Sequence, residues 1–211
     1  MIPKLLVQPA YFAPIAQYAA ILQAKTTEFE THDNFVKQTY RTRCYIYGAN
    51  GKLLLNVPVS KAKGQKTLTT EVELNYEEDW QKLHLKSLQS AYRTSPFYEY
   101  YEADLTGIFT TKHKYLWELH QKVHAFVMDA LQEEKPSSET TEYFNDYTDK
   151  TDLRSWIEAK KKLNIDFPKY VQMFDDKHGF LENLSILDLI FMEGPNASLY
   201  LENLNINNAL T

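Results

Sequence analysis

The chain opens on a short apolar run, Lys4-Leu5-Leu6-Val7-Gln8, stopped by Pro9. That pattern predicts a buried first strand. Tyr11-Phe12-Ala13-Pro14 reads as a loop, with Pro14 suited to the first turn of a helix. Ile15, Tyr18, Ala19 and Leu22 then recur at helical spacing. Alternation returns at Thr27–Thr31, at Cys44–Tyr47, at Leu53–Val59 and at Leu68–Leu74, four candidate strands. The second and third of these flank Ala49-Asn50-Gly51-Lys52, whose Asn-Gly step is a hairpin signal. Lys61–Lys66 reads as a basic loop. Beyond it the period becomes helical: Asp79–Tyr92, Phe97–Thr106, His113–Glu133 and Asp152–Leu163, with a Ser/Thr/Glu-rich surface loop and a short strand at Thr141–Phe144 in between. Asn183 and Ser185 offer a cap for Ile186–Met192, Gly194-Pro195 closes that helix, and a last one is predicted over Asn196–Leu204. The expected architecture is mixed α/β in a single domain over 1–211. It has a strand–loop–helix opening, a β-rich part at 1–76 and a mainly helical part at 77–211.

Composition changes this picture only in places. A chain of 211 residues with 44% hydrophobic and 24% charged positions can bury a core of its own. Its net charge of −5 argues against a nucleic-acid partner. No stretch is long enough to be a membrane span, and no secretory signal is recognised, so a cytoplasmic location is expected. The single cysteine, Cys44, excludes an internal disulfide and a multi-cysteine metal site; it reads as a small apolar strand residue, with a reactive thiol beside Arg43 as the other possibility.

The densest chemistry lies in Asn34–Tyr45, where Lys37, Arg41 and Arg43 sit among tyrosines. Extended, these three cations would share one face. They would then be either the charge that protects a solvated edge strand or a site for carboxylate or phosphate. His84, in Trp80-x-x-Leu83-His84-Leu85-Lys86, is a candidate acid/base or an ordinary histidine among aromatics. His120 and His124 are four apart on one helix, which permits a metal; lacking a third ligand, they read as a half-exposed helix surface. No P-loop, Gly-x-Ser-x-Gly or His-Glu-x-x-His motif is present, and no cofactor or metal is expected.

Several of these residues form an ordered set: Gln8-Pro9-Ala10-Tyr11-Phe12-Ala13-Pro14, then Asn34-x-x-Lys37-Gln38-Thr39-Tyr40-Arg41-x-Arg43-Cys44, Trp80-x-x-Leu83-His84-x-Lys86 and Tyr92-x-x-x-Pro96-Phe97. Tyr170-x-Gln172-x-Phe174 and Gly179-Phe180-x-x-Asn183-Leu184-Ser185-Ile186-Leu187-Asp188 complete it. The set resembles the WbqC-like family in its Bacteroidetes form. Ala10 before Tyr11, and a Thr/Glu-rich stretch near Thr141–Tyr143 in place of a Gly-rich one, depart from the family pattern. The resemblance implies a part in O-antigen or other surface-polysaccharide biosynthesis. A small-molecule transferase follows, moving an acyl, aminoacyl or nucleotidyl group onto an anionic, possibly sugar-nucleotide, substrate. The alternative is a noncatalytic ligand-binding or scaffold protein of an envelope pathway. The opening unit is also similar in outline to nucleotidyltransferase-type folds, without their paired His motif. On this reading one cleft gathers His84 as proton-transfer group and Asp188 as its orienter or acid partner. Gln8, Tyr11, Lys37, Tyr40, Arg41, Arg43, Lys86 and Asn183 would bind the substrate.

Overall fold

In the computed structural model, which describes residues 1–60 and 67–210, Leu5, Leu6 and Val7 are at most 1% exposed. The reason is topological. The first strand, β1 (Ile2–Val7), runs into helix α1 (Ile15–Gln23) and back through β2 (Ala24–Phe29), which pairs with it in parallel, Leu5 opposite Thr27 and Val7 opposite Phe29. Two short strands from the second half of the chain complete the sheet, β5 (Ser137–Glu139) beside β2 and β6 (Thr151–Asp152) beside β1, in the order β5-β2-β1-β6. All pairings are parallel. β1 is therefore interior, so both of its faces are covered and its sequence is an unbroken apolar run. The mixed α/β class holds, with the β-rich and helical parts of the chain sharing one sheet.

The Asn-Gly signal lies where a hairpin turns. β3 (Arg43–Gly48) and β4 (Gly51–Asn56) are antiparallel, Gly48 faces Gly51, and Gly51 takes φ +96°, a value that glycine adopts without steric cost. Helices α2 (Trp80–Tyr92), α3 (Tyr98–Thr110) and α4 (Leu116–Ala130) follow, then the single turn α5 (Asp175–His178), α6 (Ile186–Glu193) and α7 (Ala197–Asn203). In α1 every residue from Ile15 to Leu22 is buried, between the β1–β2 pair and α6 and α7. Gly194 ends α6 at φ +52°, where a Cβ would stand 2.5 Å from the Phe97 ring, so both backbone and space require glycine.

Three expected elements take other forms. Leu68–Leu74 is not a ladder strand: a 3₁₀ turn at Thr69–Glu71 interrupts it, and isolated bridges flank the turn. The Thr69 hydroxyl donates to Asp33 Oδ1 at 2.6 Å and its backbone N–H to the Asp33 carbonyl at 3.0 Å, and these bonds replace sheet pairing. Asp152–Leu163 is not a helix. Its start joins β1 as β6, with Leu153 N–H on the Leu6 carbonyl at 2.9 Å, and only Arg154–Ile157 coils, as a 3₁₀ turn. The strand expected at Thr141–Phe144 forms earlier, at Ser137–Glu139. Asn34–Thr42 is a series of turns with Gln38 at φ +64°, so Lys37, Arg41 and Arg43 do not share a strand face. The loop expected at Lys61–Lys66 lies outside the described residues.

Candidate functional site

Because the four strands are parallel, their carboxyl ends open on one edge, the place where open α/β sheets bind ligands. Gln8 leaves β1 there, Glu30 leaves β2, and Arg154 follows β6. Gln8 and Arg154 meet Asp33 and Arg41 from the turn segment around a hollow of about 400 Å³, also walled by Tyr143, Asp152 and Glu158, with Glu30 behind Arg154.

Two arginines, in three ion pairs, build this edge. Arg41, 2% exposed, is bridged to the Asp33 carboxylate. Asp33 also accepts from Gln8 Nε2 at 2.9 Å and from Thr69. Burial pulls the Arg41 guanidinium's pKa down and Asp33 pushes it back. Arg154 grips Asp152 through Nε and Nη2, reaches the buried Glu30 carboxylate at 3.2 Å, and lies over the rings of Tyr143 and Tyr147. Glu30, fully buried, is completed by His32 N–H and the Thr140 hydroxyl, each at 3.0 Å. With Asp33, Asp152 and Glu158 set against Arg41 and Arg154, the wall presents both donors and acceptors and no cationic excess. Among the described residues Gln8 Oε1 and Arg41 Nε are buried without a hydrogen-bond partner, so there the edge is not internally satisfied.

A basic hollow of about 350 Å³ lies beside it, lined by Tyr40, Lys52, Lys160, Lys161, Lys162 and Asn183. The two hollows flank one connection, Tyr40 N–H to the Ile157 carbonyl at 2.9 Å, since Thr39 and Arg41 line the first and Tyr40 the second. The lysines cluster here without a helix to carry them.

The residues named from sequence thus separate into groups. Gln8 and Arg41 meet in the first hollow, Tyr40 and Asn183 in the second. Lys37 is exposed near Phe35, Glu71 and Glu73; Arg43 is half-buried, its Nε 3.4 Å from Asn56 Oδ1; Lys86 is exposed on α2. Tyr11 and His84 meet in the core, phenol oxygen to Nδ1 at 2.8 Å, among Trp80, Phe12 and Phe109. His84 is 2% exposed, and burial drives its pKa down to about 4, so at neutral pH it is an uncharged ring.

Asp188 is not beside it. Its two oxygens accept from Tyr92 at 2.6 Å, Tyr170 at 2.5 Å and Gln172 at 2.9 Å, inside a fully buried helix. Burial raises its pKa against the pull of those three donors. The cleft expected to unite His84 with Asp188 is therefore two separate buried networks. Asn183, at φ +50°, spends its side chain on the α1 N-terminus, Oδ1 accepting from Ala16 N–H at 2.9 Å. Leu184 carbonyl takes Ile15 N–H at 3.0 Å, and Ser185 bonds Phe12 carbonyl and Tyr45 carbonyl. The Asn183–Ser185 segment fastens the opening loop to the hairpin, and the first donors of α1 are already occupied.

A family model, that of the WbqC-like protein family, matches residues 8–166. The chain belongs to this family. Every residue of the three edge ion pairs lies inside the WbqC-like match, whereas Tyr170, Gln172, Asn183 and Asp188 lie beyond it. No curated protein and no solved structure matches the chain significantly. Asp33, Asp152, Arg154 and Glu158 were not singled out in this WbqC-like sequence. Asp33 is eight residues before Arg41, a visible signal once a buried guanidinium is supposed to need a carboxylate. Of the two histidines expected on a half-exposed helix surface, His124 is half-exposed, against Tyr18 and Phe29, whereas His120 is 2% exposed with Nε2 2.6 Å from the Arg41 carbonyl. Among the described residues no group of three or more His, Cys, Asp or Glu is placed to hold a metal ion, and no helix is long and apolar enough to cross a membrane. Cys44 is buried, and that burial pushes its thiol pKa far up.

Proposed function

We propose that this WbqC-like protein is a small-molecule transferase of surface-polysaccharide assembly, acting in the cytoplasm on a hydroxyl-rich substrate held at the carboxyl edge of the sheet. The observation that carries the reading is the convergence of Gln8, Asp33, Arg41, Asp152 and Arg154 on one hollow at the carboxyl ends of β1 and β6. Carboxylates and guanidiniums in balance suit sugar hydroxyls, which both donate and accept, better than they suit a bare anion. An anionic extension of the substrate has a place in the adjoining hollow with Lys52 and Lys160–Lys162. Within this reading, Asp152 or Glu158 accepts the proton of the attacking hydroxyl as its oxygen bonds to the acyl, aminoacyl or nucleotidyl group of an activated donor, and the donor's activating group departs with the electron pair of the bond that breaks.

Sugar phosphates and sugar nucleotides, offered with activated acyl, aminoacyl and nucleotidyl donors, test it. Turnover lost in Asp152→Asn or Glu158→Gln while calorimetric binding persists supports the transferase. A noncatalytic ligand-binding role is favoured by one observation: His84 and Asp188 are separately bonded and form no proton-transfer pair. Binding without turnover across all donors decides for that second reading.

A further inference from the structure

On the other face of Gln8-Pro9-Ala10 lies a hollow of about 270 Å³ between α1, α4 and the β2–β5 edge. Its size suits one ring system, being just under the roughly 300–1,000 Å³ of pockets for drug-sized ligands. Phe29, Trp117, Tyr18 and Ile21 give it flat, apolar walls. Phe29 and Trp117 are tilted at a centroid distance of 6.5 Å, and Tyr18 stacks on His124 at 5.9 Å.

Beside His120, Gln121, Ser137, Ser138 and Glu139, two polar side chains of this hollow have fixed senses. Gln17 is only 4% exposed, and its Nε2 donates to the Gln8 carbonyl at 2.9 Å. Its Oε1 has no partner among the described residues, leaving an oriented acceptor on a residue of the hollow. His124 Nδ1 lies 3.4 Å from the Tyr18 hydroxyl, the natural donor of the two; Nε2 then carries the ring proton and is a donor without a partner. A slot with aromatic walls that offers an oriented acceptor and an oriented donor among its polar groups is complementary to a planar nitrogen heterocycle that carries both on its edge.

From this geometry we infer that the hollow between α1 and α4 binds a nucleobase, stacked on its aromatic wall and read by Gln17 Oε1 and His124 Nε2. The position extends the proposed function, and rests on it only for what the rest of the ligand does. Gln17 bonds the carbonyl of Gln8, and His120 that of Arg41, so the base-binding wall and the polar hollow share their supports. The ribose of a bound nucleoside would lie toward the Gln8-Pro9-Ala10 strand end, where the polar hollow begins.

Adenosine, guanosine, cytidine and uridine are the probes, titrated against tryptophan fluorescence; none carries a phosphate for the basic hollow, and the slot variants below separate base binding from binding of the ribose in the polar hollow. At least one nucleoside should bind saturably at millimolar concentration or below. Ala125→Phe, which fills the slot from an exposed position of α4, should abolish binding. His124→Phe, which keeps a ring but removes the donor, should weaken it roughly tenfold. Indole, which offers a donor but no ring acceptor, should bind more weakly than the preferred nucleoside. The inference is overturned if no nucleoside binds, if Ala125→Phe leaves binding unchanged, or if indole binds as well. Nucleoside binding with no turnover of any substrate leaves this inference standing and removes the transferase; turnover of a substrate lacking a base, without nucleoside binding, does the reverse.

Discussion

Removing the Arg41 guanidinium tests whether the buried ion pair at the sheet edge carries structure as well as the site. In Arg41→Met the stem is kept in volume, but Asp33 retains only Gln8 Nε2 at 2.9 Å and the Thr69 hydroxyl at 2.6 Å as donors. Breaking one half of a buried pair costs about 3–5 kcal/mol. The two surviving donors offset part of that, which places the expected loss near the lower bound, about 3 kcal/mol. With a urea dependence of about 2 kcal/mol per molar, the unfolding midpoint should fall by about 1.5 M. Asp33→Asn should cost a similar amount, because it leaves a guanidinium that is 2% exposed without its counter-charge. The Asp33→Asn/Arg41→Met double variant should lose about 2 kcal/mol less than the sum of the singles, the sign of direct coupling. Urea titration followed by tryptophan fluorescence reads all three. Singles that each cost under about 0.5 kcal/mol and simply add would refute the reasoning, and would mean that Arg41 is solvated and free.

Acid should destabilise the protein steeply. His84, His120 and His124 are each held near pKa 4 by burial, against about 6.5 in an unfolded chain. The unfolded state therefore takes up protons that the folded state refuses. Stability that is complete above pH 6.5 should decline toward pH 4, by up to about 1.4 kcal/mol per pH unit for each histidine. Asp188 works the other way: its folded pKa is raised, so its contribution is present below the unfolded value and is lost as pH rises through the folded one. Urea midpoints across that range should show the net decline, and a flat profile would contradict the burial of the three rings. Asp188→Asn should cost about 2–3 kcal/mol, since one of three donors then faces an amide N–H. It should leave turnover per folded molecule intact; a selective loss of kcat would restore Asp188 to the chemistry. Cys44 should resist thiol reagents until the protein unfolds, its labelling rate following global unfolding.

What the sequence made legible follows from where each signal originates. The β1 run, Pro14 at the start of α1, the Asn-Gly hairpin and the Ser185 cap are local, and each formed where its residues stand. Asp152–Leu163 was misread because its apolar spacing is satisfied by another arrangement: Leu153 pairs with Leu6, Trp156 and Ile157 are buried, and the lysines beyond line a hollow. Nothing in a window of eleven residues announces a strand that consists of two residues paired with β1. The candidate site divides by the same rule. Arg41 stands out because a clustered guanidinium is unusual in itself, and Gln8 through the family resemblance of the Gln8–Pro14 segment. Asp33, Asp152 and Arg154 do not, because each is an ordinary charged residue until the fold brings it to that edge. His84 and Asp188 looked chemical for the reason that makes them structural, a polar residue inside an apolar helix. That pattern marks any group with a buried partner, and here the partners are Tyr11 for one and Tyr92, Tyr170 and Gln172 for the other.

The charge balance at the edge carries the last step. An anion attracted to the hollow of Arg41 and Arg154 would meet Asp33, Asp152 and Glu158 on the same wall, with the buried Glu30 behind Arg154. At about 4 Å and an effective dielectric of about 20, each unit-charge contact is worth about 4 kcal/mol in either direction, so three carboxylates against two guanidiniums leave nothing for a phosphate to gain. The hollow with Lys52 and Lys160–Lys162 faces only Glu182 as a counter-charge among its lining residues. Inorganic pyrophosphate should accordingly bind with an affinity that falls as salt rises, and should lose it in Lys160→Ala/Lys162→Ala while Arg154→Ala leaves it unchanged. Pyrophosphate binding that disappears with Arg154 instead would put the anion at the sheet edge and reverse the assignment of the two hollows.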